Sequence, residues 1–345
     1  MPRRGGRGTR PASPDLGDGA ASGAGERSSR GATSVAPPAR QKLKAGLLLR
    51  ELGPGQSPAL LRELHIVTRG GELNADALRK LKQINHLLRL LAPGIEGLLQ
   101  RHEAPVLVDA GAGNAWLGLL VHEALLRPAG RGKVVAIERR ADLVERSRQR
   151  AQQLGMAAFE AIHASVADLT PAAGEASSLG DVHAVLALHA CDRATDEAIV
   201  LGVRAGAELI AVVPCCQAEA AACLEGRALD GTLSPLWRHP LHRRELGAHL
   251  TNVIRALVLE AHGYRVRVTE LVGWEHSLKN ELIVAERHQR QNGLALAQLR
   301  RLLADLPPLP LWLLGELMPT RDDHGFAGPA PDDALADPVA PVAPV

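Results

Sequence analysis

Aromatic side chains are scarce in this sequence, which holds two Phe, one Tyr and four Trp among 345 residues. RNA-binding modules such as the RRM and the OB fold stack bases on several exposed rings. So few rings argue against both modules. A nucleic-acid partner would have to be held by other groups.

Long apolar runs are also missing, since no stretch of 18 or more apolar residues occurs. A membrane-spanning helix needs about 20 such residues, so we expect none and no membrane partner. Residues 1–44 lack the apolar segment of a signal peptide, so secretion is not indicated.

Cysteine is limited to four residues, Cys191, Cys215, Cys216 and Cys223. Two of them are adjacent and no Cys-x-x-Cys pair is present, which argues against a secreted disulfide framework and against a zinc finger. The simplest setting is a reducing compartment, and we therefore expect a cytoplasmic protein.

The net charge of +2 hides an asymmetry between the two ends. Residues 1–44 carry nine Arg and Lys against three acids, and residues 319–345 carry one Arg against five Asp. Both ends have the composition of disordered tails, one basic and one acidic. The neutral body between them does not attract nucleic acid by bulk charge, so any such contact has to be local or made by a tail.

The body divides into three parts by its pattern of apolar residues. Residues 45–103 form a helical prelude, with helices predicted over 57–67 and 75–101 and an interruption at Pro93 and Gly94. Residues 104–290 alternate apolar runs with amphipathic stretches, and residues 291–318 form a C-terminal helical segment. Strands are predicted over 106–111, 133–138, 159–165, 182–190, 209–216, 264–272 and 281–286, and helices over 114–126, 141–154, 194–205 and 245–261.

This alternation predicts an α/β fold, a Rossmann-like seven-stranded sheet that is largely parallel and covered by helices on both faces. The last two strands are joined by a short link instead of a helix. They are therefore expected to form an antiparallel hairpin at the edge of the sheet.

A glycine-rich turn follows the first predicted strand and opens into a helix. Gly111 and Gly113 permit a tight turn and close approach of a ligand to the backbone, and Asp109 precedes them. Glu138, at the end of the second strand, can accept hydrogen bonds from two ribose hydroxyls. Asp168, after the third strand, lies where an adenine amino group needs an acceptor. This ordered set predicts a nucleotide-containing cofactor.

The spacing of the glycines discriminates between two classes of cofactor. A dinucleotide site normally has a third glycine where this chain has Trp116. S-adenosylmethionine has no pyrophosphate, and its ammonium group favours an acid such as Asp109. We therefore expect S-adenosylmethionine. The alternative is a glycine-rich turn with incidental acids.

Polar residues also follow the fourth and fifth strands, where ligands of open α/β sheets bind. His189 and Asp192 are candidates for a base that relieves the methyl acceptor of its proton, and Cys215 is expected to line the same site. A thiolate nucleophile is a weaker alternative, because no basic residue clearly lowers a cysteine pKa. Adjacent cysteines are awkward for one tetrahedral ion, so we expect no metal.

The string of residues 189–196, His-Ala-Cys-Asp-Arg-Ala-Thr-Asp, followed by the Cys215-Cys216 pair, resembles the tRNA ribose 2′-O-methyltransferases that act on the acceptor stem, and their wider methyltransferase relatives. That family has His-x-Cys-Gly-x-Ala-Thr-Asp and then Cys-Cys-His, so Asp192 replaces its glycine and Gln217 its histidine. The resemblance covers residues 104–217. It implies the class I methyltransferase fold, methyl transfer from S-adenosylmethionine, and tRNA as a substrate.

Three further residues are candidates for substrate binding. Lys279 lies between the last two strands and could orient a phosphate or hydroxyl; the alternative is a polar hairpin turn. Arg238 and Arg243 belong to a basic patch around Trp237, which we expect to carry an exposed ring. We predict a methyltransferase acting on RNA, either tRNA or rRNA. The alternatives are a small-molecule or protein methyltransferase and a non-catalytic module that only binds the cofactor.

Overall fold

Seven short strands alternate with helices in the computed structural model. It describes residues 52–53, 55–67, 75–188, 193–214, 218–225, 232–271 and 281–318, all within the unit Arg40–Val345. The strands are β1 (Val106–Ala110), β2 (Lys133–Glu138), β3 (Phe159–His163), β4 (Ala184–Leu188), β5 (Leu209–Val213), β6 (Tyr264–Glu270) and β7 (Glu281–Arg287).

The helices precede, separate and follow these strands. They are α1 (Pro58–Glu63), α2 (Ala75–Arg101), α3 (Trp116–Val121) with a π-helical turn (His122–Leu126), α4 (Arg127–Ala129), α5 (Ala141–Gln153), α6 (Val166–Leu169), α7 (Arg193–Arg204), α8 (Glu219–Leu224), α9 (Pro240–Ala261), α10 (Gly293–Ala304) and α11 (Trp312–Leu317), with a 3₁₀ turn at Ser234–Leu236. Within the described part of the chain, no helix combines the length and the apolar character that a bilayer requires.

The strands form one sheet in the order β3-β2-β1-β4-β5-β7-β6. The first five strands are parallel, and β7 runs antiparallel to both β5 and β6. This arrangement confirms the predicted seven-stranded class I methyltransferase fold and the antiparallel hairpin. The hairpin enters the sheet through its second strand, so β6 and not β7 is the edge strand.

The central strands of the sheet are buried on both faces, as a parallel sheet covered by helices requires. On one face Leu107 of β1 and Leu209 of β5 pack with α2, α3 and α5. On the other face Val108 and Ile210 pack with α7, α9 and the C-terminal helices. The central strands β4 and β5 are therefore continuous apolar runs, and β1 is apolar except for Asp109, which explains why these strands could be located from the sequence.

One expectation about the prelude is wrong, because α2 continues through Pro93 without interruption. Proline inside a helix costs about 3 kcal/mol. Leu91, Ile95 and Leu98 are fully or almost fully buried on either side of it, and each buried leucine or isoleucine contributes roughly 1.5–3 kcal/mol. Packing against the sheet therefore outweighs the local preference.

Two other helices have bounds that differ from the prediction. The helix expected over 57–67 ends at Glu63, and the remaining residues form turns. Helix α9 begins at Pro240, five residues before the predicted start at residue 245. Proline is favoured at a first helical position because its fixed φ already suits the helix, so the helix includes residues that the apolar spacing alone does not mark.

Candidate cofactor site

The turn after β1 is built on two glycines in the left-handed region. Gly111 has φ 65° and Gly113 has φ 56°, a conformation that costs other residues about 1–2 kcal/mol. The N–H of Ala112 donates to the carbonyl of Ile137 at 2.9 Å, which ties the turn to β2. A Cβ added at Gly113 would meet no atom within 4 Å, so this side of the turn has room for a ligand.

Glu138 holds the glycine turn from the neighbouring strand. Its Oε2 accepts a hydrogen bond from the N–H of Gly113 at 2.9 Å, and its Oε1 accepts one from the N–H of Arg140 at 2.8 Å. The carboxylate is half-buried at the carboxyl end of β2. It keeps further acceptor capacity, since a carboxylate has about four lone-pair positions, and this is the group that ribose hydroxyls require.

Asp109 lies beneath the same turn and is only 1% exposed. Its Oδ2 accepts a hydrogen bond from the N–H of Gly118 in the first turn of α3 at 2.9 Å. Burial, and to a lesser degree the charge of Glu138, raises the pKa of Asp109 to about 7, although the hydrogen bond from Gly118 opposes this shift. The carboxyl group therefore acts as an acceptor for the start of α3. Direct binding of the cofactor ammonium by Asp109 stays a prediction.

Gly118 is the residue that sequence reasoning missed. A Cβ at this position would lie 3.0 Å from Asp109 Oδ2 and 3.0 Å from a methyl carbon of Val134. Because Gly118 has no Cβ, helix α3 can pack closely on β1 and β2. Gly118 thus does what the third glycine of a dinucleotide site normally does, but two positions after Trp116. The signal was present in the sequence, but at a spacing longer than the dinucleotide pattern.

Ala115, which precedes α3, has φ 55° although it is not a glycine, and it is completely buried. No side chain caps α3 at this residue. The hydrogen bond from Gly118 to Asp109 thus supplies an acceptor that a capping residue would otherwise provide. The start of α3 is held by the sheet and not by its own sequence.

Asp168 lies further along the carboxyl edge of the sheet. It is exposed on the single turn of α6, whose start is capped by Ser165 Oγ accepting from the N–H of Ala167 at 3.3 Å. Asp168 also affects Glu197 in α7. Burial is the main cause that raises the pKa of Glu197, and the negative charges of Asp196 and Asp168 raise it further. The acid after β3 is therefore placed at the edge that the glycine turn and Glu138 share.

Four predicted residues lie outside the described residues. These are His189, Asp192, Cys215 and Lys279, and their assigned roles stay predictions. In the part of the chain that the structure does describe, no group of three or more His, Cys, Asp or Glu side chains is placed to hold a metal ion.

The basic patch differs from the prediction at its centre. Trp237 is 4% exposed and packs in the core with Leu224 and Leu250, so the expectation of an exposed ring is wrong. Its indole is too large and apolar to stay in water when a core position is available. Arg238 is exposed, whereas Arg243 is paired with Glu225 Oε1 at 2.8 Å.

Residues 79–223 match the family model described as "Methyltransferase domain". The match spans β1 to β5 and every described residue of the predicted cofactor set. This protein is an S-adenosylmethionine-dependent methyltransferase, which confirms the enzyme class and the cofactor expected from the glycine turn and its acids.

Solved structures of methyltransferases resemble this one. An rRNA methylase from Streptococcus thermophilus is 16% identical, with 59% of this chain and 97% of that chain covered and a TM-score of 0.37. Magnesium protoporphyrin IX methyltransferase from Synechocystis, with bound S-adenosylmethionine, is 12% identical, with 69% and 100% covered and a TM-score of 0.36. No curated protein matches the chain.

The residues of the methyltransferase fit S-adenosylmethionine. The open side of the glycine turn leaves space for it, Glu138 would accept from its ribose hydroxyls, and Asp168 would accept from its adenine amino group. When bound, the cofactor supplies an electrophilic methyl group on a sulfonium. The protein's part is to hold donor and acceptor in line at near-attack distance.

Proposed function

We propose that this methyltransferase acts on RNA, with its acceptor entering beside the start of α9. The observation that carries the proposal is a pair of exposed cations, Arg238 and Arg244, for which the described residues include no acidic partner. Arginine is the residue best suited to phosphate, because its planar guanidinium donates two parallel hydrogen bonds.

The position of these arginines favours a role near the cofactor residues, at the carboxyl edge of the sheet. Helix α9 ends at Ala261, just before β6, whose first residue pairs with the last residue of β7 at the amino edge of the sheet. A 22-residue helix spans about 33 Å, so the start of α9 lies toward the carboxyl edge, where the cofactor residues are. Gly247 of α9 also packs on Ala221 of α8, which follows β5.

Apolar side chains accompany the cations. Leu233, Leu236 and Leu241 are 41–52% exposed, although leucine is usually buried. Mixed apolar and cationic surface suits single-stranded RNA, whose unstacked bases present apolar faces next to phosphates. The neutral body thus has a local surface for a polyanion without relying on bulk charge or on aromatic stacking.

Transfer RNA is the first acceptor to test, because residues 189–196 resemble the motif of tRNA ribose methyltransferases, and rRNA is the second. A cytoplasmic location, expected from the cysteine content, is consistent with either. The decisive assay incubates the full chain with methyl-labelled S-adenosylmethionine and separate tRNA, rRNA, protein and metabolite fractions. Label in RNA supports the proposal, and label only in protein or metabolites refutes it.

A binding measurement tests the role of the two arginines. We expect Arg238→Gln/Arg244→Gln to weaken RNA binding and to reduce the slope of log K against log salt by about 1.4, since each phosphate contact to a single strand contributes about 0.7. The matched control is Arg131→Gln/Arg290→Gln, which removes two exposed arginines from other parts of the surface. Equal effects in both variants would contradict the assignment.

A further inference from the structure

A chain of buried polar side chains links α7, α9 and β7. Arg255 Nε donates to Asp196 Oδ1 at 2.7 Å, and Arg255 Nη1 donates to Asn252 Oδ1 at 3.1 Å. Asn252 Nδ2 in turn donates to Glu281 Oε2 at 2.6 Å. Three elements that are far apart in sequence are thereby joined by one continuous series of hydrogen bonds, defined here as the Asp196–Glu281 relay.

Stability alone does not account for the relay. Arg255 is 1% exposed, and Asp196 and Asn252 are almost as deeply buried. Burying an arginine and a carboxylate costs several kcal/mol of desolvation per ion, and an apolar pair of similar volume is often as stable or more so. What such a pair does supply is a defined geometry, because the planar guanidinium donates its hydrogen bonds in few fixed directions.

The relay ends on the one member that reaches water. Glu281 is half-buried and is the first residue of β7. Because β7 is antiparallel to β5, its first residue lies at the carboxyl ends of the parallel strands. Glu281 is therefore on the same edge of the sheet as the glycine turn and Glu138, three strand positions from β1, or about 14 Å.

A second carboxylate faces Glu281 across the hairpin. Glu270, the last residue of β6, is its direct partner in the antiparallel register and is exposed. Like charges in directly opposite positions destabilise a sheet. The chain thus tolerates an unfavourable pair at this edge, and the hydrogen bond from Asn252 holds the Glu281 carboxylate in place against it.

We propose that Glu281 is the base of the methyl transfer, and that Asn252, Arg255 and Asp196 are positioning residues for its carboxylate. In the step, the bond between the sulfonium sulfur and the methyl carbon breaks and its electrons stay on sulfur, which becomes a thioether. A lone pair of the acceptor oxygen or nitrogen forms the new bond to carbon. The proton of that O–H or N–H passes to Glu281, which is exposed enough to release it to water.

This inference rests on methyl transfer but not on RNA as the acceptor. It gives Glu281 the role that the sequence predicted for His189 or Asp192. General-base catalysis contributes about 10²–10⁴-fold to a rate. Its loss should therefore be visible with any acceptor that the enzyme labels.

The first experiment measures turnover by Glu281→Gln in the full chain. Glutamine has nearly the same volume and still accepts from Asn252, but it cannot take the proton. We expect kcat for methyl incorporation to fall at least 100-fold, while the Kd of S-adenosylhomocysteine changes less than twofold. The control is Glu286→Gln, at the other end of the same strand and exposed. A loss of less than tenfold in Glu281→Gln would overturn the proposal.

The second experiment tests whether Asn252 acts through Glu281. Asn252→Asp keeps an acceptor for Arg255 but sets a carboxylate against Glu281, and we expect kcat to fall about tenfold with little change in KM. In the Glu281→Gln background the same substitution should cost nothing further, because the two residues form one unit. A merely structural asparagine would give the same loss in both backgrounds, and that result would overturn its assignment.

The outcomes separate this proposal from the choice of acceptor. If the wild-type enzyme labels RNA and Glu281→Gln labels it equally fast, Glu281 is not the base, and the RNA proposal still stands. Label only in the protein or metabolite fraction, abolished by Glu281→Gln, would refute RNA and support the base. If the wild-type enzyme binds S-adenosylhomocysteine but labels no fraction, both proposals fail.

Discussion

The buried carboxyl group of Asp109 predicts an unusual dependence of stability on pH. Its pKa is raised from 3.8 to about 7 in the folded protein, with burial as the main cause. Between these two pH values the folded protein binds more protons than the unfolded chain, so folding becomes less favourable as the pH rises. The contribution is most favourable below about pH 4, declines through the interval, and is constant above about pH 7.

The magnitude follows from the size of the shift. One pKa unit corresponds to 1.36 kcal/mol. A shift of about three units therefore makes the contribution of Asp109 to the free energy of unfolding about 4 kcal/mol less favourable at pH 8 than below pH 4. About 3 kcal/mol of that loss falls between pH 5 and pH 8. Asp109→Asn keeps an oxygen that can accept from Gly118 but does not titrate, so it should be free of this loss.

Urea unfolding of both proteins at several pH values between 5 and 8.5 measures the effect. We expect the free energy of unfolding of Asp109→Asn to gain about 3 kcal/mol relative to the wild type as the pH rises through this range. The exposed Asp305 serves as the control, and Asp305→Asn should follow the wild type. If the wild type and Asp109→Asn change in parallel with pH, Asp109 is ionised in the folded protein and the reasoning is refuted.

Two further predictions concern the cofactor site. Glu138→Ala should weaken the binding of S-adenosylhomocysteine 10- to 1,000-fold in a calorimetric titration, because hydrogen bonds to a charged group contribute about 1.5–3 kcal/mol each. The control Glu160→Ala, on the exposed side of β3, should not weaken it. Unchanged heats for Glu138→Ala would contradict the site. Gly118→Ala should lower the free energy of unfolding by about 1–3 kcal/mol, because the added Cβ would lie 3.0 Å from Asp109 Oδ2. The control is Gly315→Ala in α11, where no atom lies within 4 Å of the added Cβ, and it should stabilise the protein by up to about 1 kcal/mol. Equal effects of the two substitutions in thermal unfolding would contradict this account.

The parts of the fold that could be predicted from the sequence are those determined by neighbouring residues. Strands β1, β2, β4 and β5 are mainly apolar runs, and the glycine turn with Glu138 is a local pattern on consecutive elements. The entry of β7 between β5 and β6 was not predictable, because strand order depends on pairing between distant segments. Trp237 was misjudged for the same reason: its charged neighbours suggest a surface, whereas its packing partners Leu224 and Leu250 decide its burial.

The same distinction separates two groups of residues at the carboxyl edge of the sheet, those that would bind the methyl donor and those that would bind the methyl acceptor. The donor half is formed by residues close in sequence, Asp109 to Glu138, and lies within the matched domain at 79–223. The acceptor half, as we propose it, is formed by Arg244, Asn252 and Glu281, which all follow residue 223. A shared donor requires a shared cofactor site, whereas the identity of the acceptor does not. The segment after residue 223 is therefore where substrate specificity should be sought, and substitutions there should alter methyl transfer while leaving cofactor binding intact.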